Sequence, residues 1–223
     1  AGIIDRFVDI PVDQIRRSPY QVRPCDDQEH LAALAASISD SELSSPILVR
    51  PVPEGVGEGG IRYELVCGEN RWLAHKVLDR TVITSIVRFM SDAEAARVLA
   101  ADNLQRRDLT DWQVCQSINM LVSNNFARTD DELSRIFGRP RSYISKVKAF
   151  NELPPAAAAI VAAHSHLFGA ALAGDLRTSG FNHSHPDLVT SCFEQVAAGS
   201  LTQAGVISWL INTTAKEIGR AHV

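Results

Sequence analysis

A strand, a glycine and a helix follow one another in residues 63–76, and this order constrains the fold more than any other stretch. Residues 63–66 alternate in polarity like a half-buried strand, and Gly68 ends the pattern before a helical stretch begins. The first N–H groups of a helix lack acceptors within it, and the helix dipole favours negative charge at that end. Arg71 adds a planar cationic fork suited to phosphate. The stretch therefore predicts an anion site at a strand-to-helix turn.

Further stretches before residue 90 indicate a mixed α/β architecture. Residues 47–50 and 81–89 have strand-like β-branched or alternating sequences, and residues 31–38 have apolar side chains at helical spacing. Residues 53–60 contain four glycines and are expected as an exposed loop between strands.

From residue 91 onward the sequence is typical of helices. Capping-box patterns, in which Ser or Thr is followed three residues later by Glu or Gln, begin at Ser91, Thr110 and Thr129. Residues 174–186 are expected as a loop with two more helices after it. The predicted fold class is α+β, in three regions: a small mixed α/β domain at 1–90, a helical domain at 91–155 and a C-terminal helical region at 156–223.

The composition excludes several classes of protein. With 45% hydrophobic and 22% charged residues among 223, the chain is an ordinary globular protein long enough for a core. No apolar run could span a membrane, so no membrane partner is expected. The four cysteines include no C-x-x-C pair, which favours reduced thiols, a cytoplasmic location and no structural zinc. His164/His166 and His183/His185 are interpreted as loop histidines rather than metal ligands.

The charge of the chain is unevenly distributed. The whole chain carries 22 basic and 26 acidic residues, a formal net charge of −4. Residues 128–150 hold six Lys and Arg against three Asp and Glu, which gives +3 locally. Because the field at a contact surface matters more than the total charge, this region can hold DNA on an acidic chain.

Two short helices joined by a tight turn are predicted in the same basic region. The first covers residues 130–137, Gly138 ends it, and Pro140 opens a second helix that ends near Asn151. This pattern is typical of a helix-turn-helix, whose second helix lies in the major groove of DNA. The DNA-binding candidates are the polar residues of the turn and second helix: Arg139, Arg141, Ser142, Tyr143, Ser145, Lys146 and Lys148. The alternative is an ordinary helical hairpin with a solvated basic face.

Three segments, in this order along the chain, resemble those of the ParB family, the CTP-dependent DNA-binding partition proteins. Residues 18–23 are similar to the family's Asn-Pro-x-Gln-Pro-Arg segment, residues 68–74 to its Gly-Glu-Arg-Arg-Trp-Arg-Ala box, and residues 102–109 to Glu-Asn-x-Gln-Arg-x-Asp-Leu. The helix-turn-helix, followed by Leu153-Pro154, is similar to the family's next domain. The resemblance covers roughly residues 8–155 and implies a ParB/sulfiredoxin-type N-terminal domain.

The resemblance implies a nucleotide pocket and a metal site in the N-terminal domain. The nucleotide would be CTP, bound by Gln21, Arg23, Ser37, Gly68, Glu69, Asn70, Arg71 and Arg106. Asp102 and Asn103 would hold Mg²⁺ on the phosphates, in keeping with the preference of this ion for oxygen ligands.

The family's activity is implied in the same way. A homodimer would read a palindromic site in double-stranded DNA and close over it as a CTP-dependent clamp, in plasmid or chromosome partition or related regulation. A ParA-type ATPase is a further implied partner, and the protein would associate with the nucleoid or a plasmid. Hydrolysis of CTP would be slow at most. The family's C-terminal dimerisation domain is not evident in the sequence.

Several positions depart from the family's pattern and leave other functions open. Asn70 stands where the family has Arg, Asp102 where it has Glu, and Glu42 where it has Gly near the phosphates. The first change removes a cation, and the last adds a carboxylate that would repel a triphosphate. A nucleotide-independent transcriptional repressor is the second hypothesis. The third is an enzyme on the same fold, either a nuclease or a sulfiredoxin-like protein using Cys67, which however precedes Gly68 rather than following it.

Overall fold

The computed structural model describes residues 6–22, 28–40, 45–52, 58–104 and 109–221. The chain divides into two compact units, Ala1–Gln105 and Arg106–Val223. Each unit is described by itself below. The predicted α+β class is confirmed, because one unit contains a sheet with helices and the described part of the other is helical.

The first unit is built on a mixed five-stranded sheet in the order β1-β5-β3-β4-β2. Strands β1 and β5 are antiparallel, as are β3 and β4, whereas β3 runs parallel to β5 and β2 runs parallel to β4. The strands are β1 Arg6–Pro11, β2 Ile15–Arg16, β3 Ile47–Pro51, β4 Tyr63–Cys67 and β5 Val82–Val87. The three strands predicted from the sequence are confirmed as β3, β4 and β5.

Two strands of this sheet were missed by the sequence patterns. Strand β1 pairs with β5 at the edge of the sheet, and both Phe7 and Val8 are exposed there, so no clean alternation marks it. Strand β2 has only two residues, which is too short to leave a periodic signal. Tertiary pairing rather than local sequence therefore defines the two edge strands of the sheet.

The described part of the first unit also contains three α-helices: α1 Gln28–Asp40, α2 Glu69–Val77 and α3 Asp92–Leu104. Helices α1 and α2 pack against each other, and Trp72 of α2 is buried in the core of the sheet. The core cluster contains buried side chains from all five strands, a connecting turn and α2: Ile10, Val12, Ile15, Ile47, Val49, Leu65, Trp72 and Ile83.

Helix α3 belongs to the first unit rather than to the helical unit that follows. It packs on β4 and buries Ala95, Ala96, Leu99 and Ala100. The division between the units therefore lies one helix later than the boundary predicted at residues 90/91. The small side chains of α3 gave only a weak amphipathic pattern, so the sequence did not indicate which domain it would join.

The second unit contains eight helices in its described part: α4 Asp111–Ser123, α5 Asp130–Phe137, α6 Arg141–Lys148, α7 Pro155–Ala163, α8 Ala170–Ser179, α9 Phe181–Ser184, α10 Pro186–Ala197 and α11 Val206–Ala221. The loop predicted at residues 174–186 is wrong, because α8, α9 and the start of α10 occupy it. Gly174 lies inside α8, where a side chain would meet Lys146 at 2.9 Å. Close packing of two helices explains this glycine, which the sequence patterns had suggested as a loop residue.

Within the described residues, every helix is too short or too polar to cross a membrane.

A buried carboxylate, Glu64 on β4, connects several elements of the first unit. Arg50 of β3 donates to its Oε1 from both Nε, at 3.0 Å, and Nη2, at 2.8 Å. Arg16 donates to Oε2 at 2.9 Å, and Ser18 donates to Oε1 at 3.2 Å. Arg50 also pairs with Asp92, the first residue of α3, at 2.6 Å. These contacts join three strands to a loop and to the start of α3.

Replacing Glu64 with Gln should lower the free energy of unfolding by about 3 kcal/mol, because the buried Arg50 then lacks its main counter-charge. Urea unfolding gives the size of the effect, and hydrogen exchange of the β3 and β4 amides assigns it to the first unit. The matched control is Glu194→Gln, which removes the same charge from an exposed position. Equal urea midpoints for the two variants would contradict this prediction.

Candidate nucleotide site and nucleic-acid interface

The turn at Gly68 has the geometry that the sequence predicted for an anion site. Gly68 precedes the first residue of α2 with φ of +96°, a left-handed conformation that favours glycine. A Cβ at this position would lie 2.8 Å from Cγ2 of Ile47. The absent side chain therefore lets the backbone pass close to Ile47 at the N-terminus of α2, the end of a helix where unpaired N–H groups favour an anion.

Arg71 lies beside this turn, but its side chain already binds the backbone. Its Nη1 donates to the carbonyl oxygens of Ser45, at 2.6 Å, and Pro46. Its Nη2 lies 3.1 Å from the position that a Cβ on Gly68 would occupy. A guanidinium has five donor hydrogens. The two bonds from Nη1 therefore fix the group while Nη2 remains next to the turn.

A line of hydrogen bonds brings together one residue from each of the three sequence segments. Gln21 donates from Nε2 to Oε2 of Glu69 at 2.9 Å, and Asn103 donates from Nδ2 to Oε1 of Gln21 at 3.1 Å. Arg17 forms an ion pair with Oε1 of Glu69. Glu69 and Asn103 are both buried. The structure thus places segments that are far apart in sequence within hydrogen-bonding distance of each other.

The remaining predicted site residues of the first unit are less fully defined. Asn70 is half-buried in the first turn of α2, Ser37 is exposed on α1, and Asp102 is half-buried beside Asn103. Arg23, Arg106 and also Glu42 lie outside the described residues. Arg17 was missed by sequence reasoning, because nothing in the local pattern distinguishes it from a surface arginine.

The two short helices joined by a tight turn that the sequence predicted occur in the second unit. Helix α5 has the predicted bounds, and the hydroxyl of Thr129 accepts a hydrogen bond from the N–H of Glu132 at its start. Gly138 ends the helix with φ of +55°. Helix α6 follows at Arg141 and continues into a 3-10 turn at Ala149–Glu152, which ends the predicted second helix. Four apolar side chains of the two helices are buried: Leu133, Phe137, Ile144 and Val147.

Four of the seven DNA-binding candidates are exposed: Arg139, Arg141, Ser142 and Lys146. They occupy the turn and the solvent side of α6, where a recognition helix would present them to a groove. Arg141 also forms an ion pair with Asp131 at 3.3 Å, and both side chains of that pair are well exposed.

The other three candidates make contacts within the unit. The hydroxyl of Tyr143 donates to Oδ1 of Asp111 at 2.6 Å, and burial together with this bond raises the pKa of Tyr143 well above its usual value. Ser145 accepts hydrogen bonds from Arg177. Lys148 donates to Oδ1 of Asp130 at 2.9 Å. These contacts orient the three side chains toward neighbouring helices.

Comparison with known proteins identifies the family to which the N-terminal part of the chain is similar. Residues 4–104 match the ParB N-terminal domain family. The chain is 33% identical over 150 residues to the chromosome-partitioning protein Spo0J of Thermus thermophilus, which covers 67% of this chain and 52% of that protein. It is 31% identical over 144 residues to the chromosome-partitioning protein ParB of Caulobacter vibrioides, covering 65% of this chain and 46% of that protein.

A solved structure is also similar. It is the C-terminally truncated chromosome-partitioning protein ParB from Caulobacter crescentus complexed to the centromeric parS site. The TM-score is 0.60 at 25% identity, over 89% of this chain and 96% of that one. The chain belongs to the ParB family. This ParB-family chain spans about half the length of the curated relatives that it matches.

The structure also bears on the histidines, carboxylates and cysteines of the chain. Among the described residues of this ParB-family chain, no group of three or more His, Cys, Asp or Glu side chains could hold a metal ion. A magnesium ion shared with phosphate oxygens does not require such a group. The thiols of Cys115 and Cys192 are buried, and this raises the pKa of each to about 12, so both remain protonated and unreactive near neutral pH.

Substitution of Gly68 tests how closely the turn is packed. Gly68→Ala should be destabilising both through its left-handed backbone, by about 1–2 kcal/mol, and through overlap with Ile47, by roughly 1–3 kcal/mol more. The control is Gly60→Ala, because Gly60 has φ of +86° but nothing within 4 Å of its Cβ position. Urea unfolding of both variants measures the difference. If Gly60→Ala were as destabilising as Gly68→Ala, close packing at the turn would be ruled out.

Proposed function

We propose that this ParB-family chain is a sequence-specific DNA-binding partition protein whose N-terminal domain binds CTP with Mg²⁺. The observation that carries the DNA-binding part is the helix-turn-helix with Arg139, Arg141, Ser142 and Lys146 exposed together on its turn and second helix. The Caulobacter crescentus relative complexed to the parS site supports this part. Chromosome and plasmid partition both remain within the proposal.

The DNA contacts divide according to what each exposed side chain can do. In a helix-turn-helix the N-terminal residues of the second helix reach base edges. Arg141 and Ser142 hold those positions, and Arg can bind the O6 and N7 acceptors of guanine with two hydrogen bonds. Arg139 and Lys146 are suited to phosphates, because these contacts need charge rather than a fixed donor pattern. A homodimer would present two such helices to a palindromic duplex.

The DNA-binding proposal is tested by selecting duplexes from a random library with the whole chain and measuring affinity by fluorescence anisotropy. A palindromic duplex should be enriched. Arg141→Ala should lower affinity for it by roughly tenfold or more, because a base contact worth about 1–3 kcal/mol is lost. Lys216→Ala, an exposed lysine on α11, serves as the control for loss of one positive charge. Enrichment of no sequence would refute the proposal.

The residues of the first unit fit a nucleoside triphosphate in three respects. Helix α2 begins directly after Gly68, whose left-handed backbone closes the turn, so N–H groups at the start of the helix can bind phosphate oxygens. Arg71 has Nη2 beside this turn, and its Nη1 bonds hold the guanidinium in place. Glu69 has its carboxylate bound to Gln21 and Arg17, so its charge is compensated.

Asp102 and Asn103 would supply oxygen ligands to Mg²⁺ at the same site. Asn103 donates from Nδ2 to Gln21, and its Oδ1 is an acceptor that a hard cation prefers. The bound ion would neutralise phosphate charge. Ser37, Asn70, Arg23 and Arg106 are retained in the proposed nucleotide site by resemblance to the family. A CTP-dependent clamp on DNA and a ParA-type ATPase as partner are the finer parts of the proposal.

Thermal unfolding with four nucleotides tests the nucleotide part. With Mg²⁺, CTP should raise the melting temperature more than ATP, GTP or UTP, since ligand at 100 times Kd stabilises by about 2.7 kcal/mol. Arg71→Ala should abolish the CTP shift relative to its own melting temperature without ligand. Arg80→Ala, an exposed arginine of the same unit, should keep the shift. Equal or absent shifts with all four nucleotides would count against CTP binding.

A DNA-binding regulator that ignores nucleotide is the second candidate function. Asn70 favours it, since a cation of the family's motif is missing at that position. The two experiments above separate the candidates. If a duplex is selected but CTP does not raise the melting temperature, the protein is the nucleotide-independent regulator. If a duplex is selected and CTP raises the melting temperature, it is the CTP-dependent protein.

A further inference from the structure

Helix α6 is held from outside the helix-turn-helix by Arg177 of α8. The Nη1 of Arg177 donates to the carbonyl oxygen of Ser145 at 2.9 Å, and Nη2 donates to the hydroxyl of Ser145 at 3.0 Å. Glu152 lies 3.9 Å from the same Nη1. One guanidinium edge thus binds both the backbone and the side chain of a single residue in the middle of α6.

The carbonyl of Ser145 needs this partner because the helix changes its hydrogen-bonding pattern at that point. In a continuing α-helix the Ser145 carbonyl would accept from the N–H of Ala149. That N–H donates to the carbonyl of Lys146 instead, as the chain passes into a 3-10 turn. Arg177 therefore satisfies a carbonyl that the end of the α-helix leaves open.

Two other contacts hold α6 against the same neighbours. Gly174 of α8 faces the stem of Lys146, where an added Cβ would lie 2.9 Å from Cγ. On α4, Asp111 accepts from the hydroxyl of Tyr143 with Oδ1 and from the N–H of Ala170, at the start of α8, with Oδ2. Helix α8 is thus tied to α4 at its N-terminus and to α6 through Gly174 and Arg177.

We infer that Arg177 is a positioning residue that sets the orientation of α6 and thereby the discrimination between DNA sequences. This inference rests on the proposed function, since it needs α6 to read DNA. A base contact by Arg141 or Ser142 depends on donor positions to within a fraction of an ångström. Phosphate contacts tolerate small rotations of the helix, because they depend on charge more than on direction. Loss of the two hydrogen bonds from Arg177 to Ser145 therefore weakens sequence-specific binding and leaves non-specific binding unchanged.

The substitution that tests this inference is Arg177→Lys. Lysine keeps the positive charge but is a single point donor, so it cannot bind the carbonyl and the hydroxyl of Ser145 together. The probes are the duplex selected by the unmodified chain and a duplex of the same length and composition with shuffled sequence. Affinity for the selected duplex should fall by about tenfold, and affinity for the shuffled one should not change. The slope of log affinity against log salt should also stay the same.

Further variants separate positioning from other roles. Arg177→Gln should behave like Arg177→Lys, and Lys216→Gln controls for the lost charge. Ser145→Ala removes only the hydroxyl and should give a smaller loss that is not additive with Arg177→Lys. Hydrogen exchange should show faster exchange of the α6 amides in Arg177→Lys, with the melting temperature as a check on folding.

Two results would overturn the inference. If Arg177→Lys binds as the unmodified chain while Arg177→Gln weakens both duplexes and reduces the salt slope by about 0.9, Arg177 is a phosphate contact. If Arg177→Lys binds both duplexes unchanged and Ser145→Ala does too, these two hydrogen bonds have no role in recognition. Failure of the unmodified chain to select any duplex would refute the proposed DNA binding itself and, with it, this inference.

Discussion

The buried carboxylate of Glu64 is the interaction on which the first unit depends. It lies on β4 and accepts hydrogen bonds from Arg50, Arg16 and Ser18, while Arg50 also pairs with Asp92 at the start of α3. The arginine also lowers the pKa of Asp92 by hydrogen bonding, so that carboxylate remains ionised in its pair. Two ends of α3 are thereby connected to the loop that follows β2: Asp92 through this network, and Asn103 through Gln21.

Local signals in the sequence were sufficient to predict the bounds of the elements that begin and end with capping residues. The bounds of α5 follow from Thr129 and Gly138, and the strand-glycine-helix order around Gly68 required only a change of periodicity and a residue that tolerates positive φ. The three segments of the proposed nucleotide site could be recognised individually. Their hydrogen bonds to one another could not be derived, because Gln21 and Asn103 are separated by 82 residues and meet only through the fold.

Contacts between helices explain what the sequence did not indicate. Tyr143, Ser145 and Lys148 have the residue types of DNA contacts, yet their partners lie on α4, α8 and α5. Gly174 was suggested as a loop residue by its type, whereas the structure uses it to bring α8 close to Lys146. Side-chain direction on a short helix is set by such neighbours. A pattern of residue types therefore predicts the helix but not which of its polar side chains remain exposed.

The acidic first turn of α5 places two carboxylates next to cations of α6, where phosphates of DNA would otherwise bind. Asp131 pairs with Arg141 and Asp130 pairs with Lys148, so two of the region's cations are already engaged before any DNA is present. Under the proposed function, a duplex would have to replace these partners with its own phosphates, and a poorly fitting sequence would compensate least for the lost ion pairs. The two aspartates at the start of α5 would then weaken attraction to random DNA and shorten the time spent on it.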